Sequence, residues 1–169
     1  MQLAGALPAV VTHLGFIPEN PRDGLFGEMV DIVREIALFL RERGLEFWFE
    51  TGQETPVTLK RLIEAVGTGN LGINLDPANL IMYGKANPID ALEVFGKYVR
   101  SVHAKDGLYP TDPMKLGEEV KVGEGRVTWW RLHRDGEGCA QCRKPRALSR
   151  NRRHDLCAEP PRQRSGIER

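Results

Sequence analysis

The chain holds 169 residues, 41% of them hydrophobic and 28% charged, with a net charge of +1. That is an ordinary globular composition, and no apolar run approaches the roughly 18–20 residues of a spanning helix; disordered, collagen-like and membrane-embedded chains are excluded. The segment MQLAGALPAVVTHLG at the N-terminus lacks the charged n-region and cleavage site of a secretory leader, so a cytoplasmic location is expected.

PAVVTHLGF (8–16) is a short apolar run ending in His-Leu-Gly, which predicts a buried strand entering a loop. Pro18, Asn20, Pro21, Asp23 and Gly24 mark that loop. Phe26, Met29, Val30, Val33, Ile36, Ala37 and Leu40 then follow helical spacing, with Gly44 placed to end the helix. LEFWFE (45–50) predicts the second strand. Thr55-Pro56 is an N-cap followed by proline at the first helical position; Leu59, Leu62, Ile63 and Val66 form one apolar face, and Gly67 and Gly69 end the helix. LGINLD (71–76) is the third strand. Asn87-Pro88 repeats the cap-plus-proline start, with Ile89, Leu92 and Phe95 at helical spacing behind it and an end near Gly96. YVRSVHAKD (98–106) is the fourth strand. A glycine- and proline-rich loop follows from Gly107 to Gly125, and Arg126 to Leu132 could begin one more helix.

Strand and helix thus alternate, which implies a parallel sheet with crossover helices. An open doubly wound sheet and part of a (β/α) barrel both satisfy the pattern. A whole (β/α)8 barrel takes about 250 residues, with roughly 200 as a floor, so the second option means a partial barrel. No glycine-rich dinucleotide fingerprint follows any strand: GTGNLG (67–72) precedes a strand and VGEGRV (122–127) has only G-x-G.

Four predicted strands end near a residue able to bind metal or move a proton: His13, Glu50, Asp76 and His103. Their spacings are 37, 26 and 27 residues, close to one βα unit each. The C-terminal edge of such a sheet is where sites are built. Imidazole nitrogen and carboxylate oxygen suit a divalent metal such as Mn, Co, Zn or Mg. Each residue also has a plainer reading. A lone His after a strand is commonly a loop hydrogen bonder. Asp76 before Pro77 could cap a turn. Glu50 and Glu54 could be surface carboxylates near a helix N-terminus, and Lys105-Asp106 reads as a solvated loop pair. Their recurrence at matching positions of successive units favours the site reading.

VVTHLGFIPENP (10–21), FETGQETPVTLKRLI (49–63), NLDPANLIMYG (74–84), VHAKDG (102–107) and KVGEGRV (121–127) resemble the sugar phosphate isomerase/epimerase family. That family lies in the xylose isomerase-like barrel superfamily, which also holds endonuclease IV. The resemblance runs in order over roughly residues 5–130. It implies a partial (β/α)8 TIM barrel of about four βα units, entered at what looks like the fourth strand. It implies one divalent metal, with Glu50, Asp76 and His103 as ligands and Glu50 also moving a proton next to a carbonyl through a metal-stabilised enediolate. His13, Glu54, Asn79 and Lys105 are expected to contact substrate or support the ligands. The family's second Glu ligand, which completes its acid/base pair, has no matching strand here, so impaired activity is expected. Against the endonuclease IV branch, Asn79, Val120 and Val122 stand where its further metal ligands would be. Its three-metal cluster cannot be completed, and nucleic acid is not an expected partner. The expected partner is a small carbohydrate, together with a second copy of the chain through unclosed barrel edges.

Residues 131–169 differ in kind. Residues 1–130 carry 13 Lys/Arg and 18 Asp/Glu, whereas 131–169 carry 11 and 5 and hold all three cysteines. Only Leu132, Leu148, Leu156 and Ile167 are large aliphatics, too few to offset ordering entropy, so the tail reads as disordered, outside the family and out of frame. Cys139, Cys142, His154 and Cys157 offer the competing reading of a basic zinc or nucleic-acid-binding module, or the body of a non-catalytic barrel remnant.

Overall fold

The computed structural model describes residues 9–129, 131 and 132. The body is a four-stranded parallel sheet with helices in its crossovers. In chain order it runs β1 (Ala9–Thr12), α1 (Gly24–Arg41), β2 (Glu46–Glu50), α2 (Pro56–Val66), β3 (Leu71–Leu75), α3 (Pro77–Met82), α4 (Pro88–Phe95), a 3-10 turn (Gly96–Tyr98) and β4 (Val99–Val102). A short antiparallel pair, β5 (Asp106–Gly107) and β6 (Glu119–Val120), follows.

The strands lie in the order β1-β2-β3-β4, each parallel to the next. This order decides between the two topologies. A doubly wound sheet reverses direction at a switch point, whereas successive right-handed crossovers in one direction place every helix on one side and give barrel geometry. Among the described residues, β1 and β4 are the outer strands, each paired on one side only.

Helix starts follow the caps expected from sequence. Thr55 Oγ1 accepts from Thr58 N at 3.3 Å, and Asn87 Oδ1 accepts from Ile89 N at 2.8 Å. The helix α3 adds a third instance where the local sequence suggests only a capped turn: Asp76 Oδ1 accepts from Asn79 N at 2.9 Å, with Pro77 first in the helix. Helix α1 buries Phe26, Val30, Val33, Ala37 and Leu40; Ile36, expected on that face, is 40% exposed. Gly44 and Gly67 both adopt positive φ at their helix ends, where L-residues with a Cβ are disfavoured.

The core gathers Phe47 and Phe49 of β2, Leu71, Ile73 and Leu75 of β3 and Val99 of β4 against Leu59, Leu62 and Ile63 of α2 and Phe95 of α4. Strand alternation places Trp48 and Glu50, with Gly72, Asn74 and Asp76, on the opposite face. Trp48 is buried there, its Nε1 donating to Glu46 Oε2 at 2.7 Å. Gly72 makes room for it, since a Cβ at that position would lie 2.6 Å from Trp48 Cδ1.

Two strand expectations change. β1 ends at Thr12, so His13 begins the loop. The fourth ladder ends at Val102; His103 N still donates to Leu75 O at 2.8 Å, and the chain then leaves the sheet. Beyond it, Asp106 is fully buried and pins the next loop by accepting from Gly107 N at 2.8 Å, Gly123 N at 2.9 Å and Val127 N at 3.0 Å. Trp129 Nε1 adds a fourth donor at 3.3 Å. The expected helix begins at Trp129, with Leu132 buried. No helix of the described residues is long and apolar enough to cross a membrane. The tail from residue 133, with its cysteines, lies outside the described residues.

Candidate metal centre

Glu50 is the last residue of β2, Asp76 the first after β3 and His103 the first after β4. Parallel pairing therefore brings three residues, spread over more than 50 positions of sequence, to one rim. Each offers one ligand atom, and these atoms lie within 4.8 Å of one another. His103 Nδ1 is 2.8 Å from Glu50 Oε1 and 3.4 Å from Asp76 Oδ2.

Asp76 is the structural centre of this group. Its side chain is fully buried, and its two oxygens differ. Oδ1 caps α3, whereas Oδ2 is buried without a hydrogen-bond partner. Burial raises its pKa above the ordinary carboxylate value of 3.8; the Asn79 N–H, Lys105 and His103 oppose that rise and Glu50 adds to it. Its backbone is fixed by Thr51, also fully buried. Thr51 Oγ1 donates to Asp76 O and accepts from Asp76 N, each at 2.8 Å.

The remaining expected residues surround the three. His13 Nε2 stands 3.6 Å from Glu50 Oε1, with half its side chain in solvent. Asn79 Nδ2 donates to Thr51 O at 2.9 Å and its Oδ1 accepts from Lys105 Nζ at 3.2 Å. Lys105 also approaches Glu119 Oε2 at 3.1 Å and Asp76 Oδ2 at 3.8 Å. Burial pulls the Lys105 pKa down, but the Glu119 hydrogen bond and the charges of Asp76, Glu119 and Glu50 outweigh it and hold the pKa above 10.5. Lys105 is thus a fixed cation at this rim. Glu54 is 7% exposed, not a surface carboxylate; burial raises its pKa, against the Glu54 and Gly52 amides and the charges of His13 and Lys85. Gly52 N donates to its Oε1 at 3.2 Å, and a Cβ at Gly52 would sit 3.2 Å from His13 Nδ1.

The plainer reading of Lys105-Asp106 as a solvated loop pair does not hold for either residue. Lys105 belongs to the cluster, and Asp106 is buried under its loop. Nothing in the sequence marks Thr51 or Glu119 as part of this cluster, or Asp106 as a buried group. Thr51 sits in the ETGQET segment beside Glu50, but nothing local marks its partner 25 residues away.

Two carboxylate oxygens and one imidazole nitrogen form a donor set that suits a divalent cation. The buried Asp76 Oδ2 without a hydrogen bond is the observation that fits it. A carboxylate oxygen desolvated in this way is costly unless positive charge meets it, and Lys105 Nζ, at 3.8 Å, lies beyond hydrogen-bond reach.

The sequence matches the xylose isomerase-like TIM barrel family over residues 1–139. Among solved structures it is similar to a xylose isomerase domain protein from Planctomyces limnophilus. That protein is 38% identical with a TM-score of 0.71, over 76% of this chain and 49% of that one. The probable 3-DHS dehydratase AsbF, involved in petrobactin synthesis in Bacillus anthracis, is 17% identical with a TM-score of 0.59, over 79% of this chain and 54% of that one. The IOLI protein, solved with a bound zinc atom, is 17% identical with a TM-score of 0.58, over 76% of this chain and 48% of that one. The latter two likenesses show fold alone. This chain spans about half the length of these structures. No curated protein matches it. With sequential parallel strands and a family match over most of its length, the chain belongs to the xylose isomerase-like TIM barrel family.

Proposed function

We propose that this chain carries the metal centre of a sugar isomerase or epimerase, acting on a sugar or sugar phosphate by proton transfer next to a carbonyl. The supporting observation is the Glu50, Asp76 and His103 cluster, in which Asp76 Oδ2 is buried without a hydrogen bond. When bound, a divalent cation supplies electrostatic stabilisation for negative charge developing on adjacent substrate oxygens. Asp76 and His103 would hold it, with one oxygen of Glu50. The Glu50 side chain is 18% exposed, so its carboxylate is reachable for taking a proton from a carbon and returning it. Lys105 adds a fixed positive charge that favours an anionic substrate oxygen beside Asp76. His13 orients Glu50 from its solvent side and can contact a substrate hydroxyl. A small soluble carbohydrate is the partner, and the cytoplasm is the proposed location.

Metal binding carries the test. Calorimetric titration with Mn, Co, Zn and Mg should show one site per chain, lost in Asp76→Asn. Absence of a site, or a site indifferent to that change, would overturn the reading. Activity is the second readout. The family's second acid/base carboxylate has no counterpart identified in this sequence, so turnover of aldoses and ketoses should be low. Whatever turnover exists should fall by about 100-fold or more in Glu50→Gln. A dehydratase assay belongs in the same panel, because a base beside a polarised carbonyl can also start loss of water.

A further inference from the structure

A cleft opens beside the loops that follow β3 and β4. The segments 76–88 and 103–127 follow the C-terminal ends of β3 and β4, and together they line an open cleft of about 550 Å³. Its walls include Ile81, Gly84 and Tyr109, and its charged groups are Lys85 and Arg126. No carboxylate lines it, and none of the three metal-centre residues does. Neither cation makes an ion pair among the described residues.

Arg126 is well placed despite its exposure. Its own N–H donates to Gly107 O at 2.9 Å, and the next amide, Val127 N, donates to the buried Asp106 at 3.0 Å. The backbone that carries the guanidinium is therefore pinned on both sides. Lys85 follows Gly84, whose φ of 65° turns the chain at the end of α3. Its charge also acts on Glu54, but burial favours the neutral form of that carboxyl and limits how far it offsets the lysine.

We propose that this cleft is an anion subsite in which Lys85 and Arg126 bind a phosphate monoester carried by the substrate. Two cations without a lining carboxylate match a dianion better than a singly charged carboxylate or a neutral hydroxyl. The guanidinium fork suits two phosphate oxygens and the ammonium supplies a point charge. The statement that the phosphate belongs to a sugar rests on the metal-centre reading, but anion binding itself does not.

The test is calorimetric titration of the full chain with inorganic phosphate, without added metal, alongside acetate and a neutral hexose. Phosphate should bind, acetate more weakly and the hexose not at all. Lys85→Gln and Arg126→Gln should each weaken phosphate binding by about tenfold with unchanged circular dichroism. Glu50→Gln should leave it intact. Absence of phosphate binding, or binding equal in wild type and both variants, overturns the subsite. Phosphate binding that survives while metal binding is absent would sink the metal reading alone.

Discussion

Asp76 Oδ2 lies 3.4 Å from His103 Nδ1, across the C-terminal ends of two adjacent strands, with no hydrogen bond of its own. A buried carboxylate is thus shared between two tasks. One oxygen is committed to the helix that follows, and the other faces the cluster. That division leaves one oxygen open to the proposed metal while the other serves as an N-cap.

Ligand and neighbour should separate cleanly in metal affinity. Asp76→Asn and His103→Ala should each weaken divalent metal binding by at least about tenfold, since even supporting residues cost that much. His13→Ala should change it by no more than about threefold, as expected for an exposed partner at 3.6 Å. Calorimetric titration checks this ranking. Equal losses for His13 and His103 would place His13 among the ligands.

Thr51 should matter through Asp76. Thr51→Val removes a hydroxyl that serves both the N–H and the C=O of Asp76 inside the core. Leaving these groups unmet should cost about 2 kcal/mol of stability and weaken metal binding as well. Thr51→Ser should restore both. Thermal melts and metal titration on the three proteins decide it, and a Val variant with wild-type metal affinity would count against the positioning role.

Asp106 should govern acid stability. Burial pushes its pKa up, but the amides of Val127, Gly123, Gly107 and Gly125 outweigh burial and hold it below 3.8. A depressed carboxylate contributes stability above the unfolded value of 3.8, and that contribution is lost as pH falls through the lower folded value. Asp106→Ala should therefore cost about 3 kcal/mol at neutral pH. The melting-temperature gap between wild type and variant should narrow as pH drops below 3.8. A gap constant down to the acid limit would show that the carboxylate charge is not what the loop needs.

Gly125 should resist substitution for a steric reason. A Cβ there would overlap the Asp106 carboxylate and approach Gly107 N at 2.7 Å. Gly125→Ala should lose roughly 2 kcal/mol, in the range for forcing a methyl into a packed site. Gly27, where a Cβ meets nothing within 4 Å, is the matched control. Denaturant unfolding of the two variants compares them directly.

Sequence by itself determined the alternation of strand and helix, the capped starts at Thr55 and Asn87 and the placement of Glu50, Asp76 and His103 at strand ends. These are local properties: periodicity, cap chemistry and the edge at which a parallel strand stops. The start of α3 was equally local, since Asp76-Pro77 repeats the same signal. Tertiary structure decided what the side chains do. Strand order distinguished a barrel arrangement from a doubly wound sheet, because hydrophobic pattern is the same in both. The backbone position of Asp76 depends on Thr51, 25 residues away, and the buried Asp106 is met by amides up to 21 residues away. A charged dipeptide such as Lys105-Asp106 looks solvated until the fold supplies its partners. Desolvation and hydrogen bonding across sequence-distant elements set that outcome, and no local pattern encodes them.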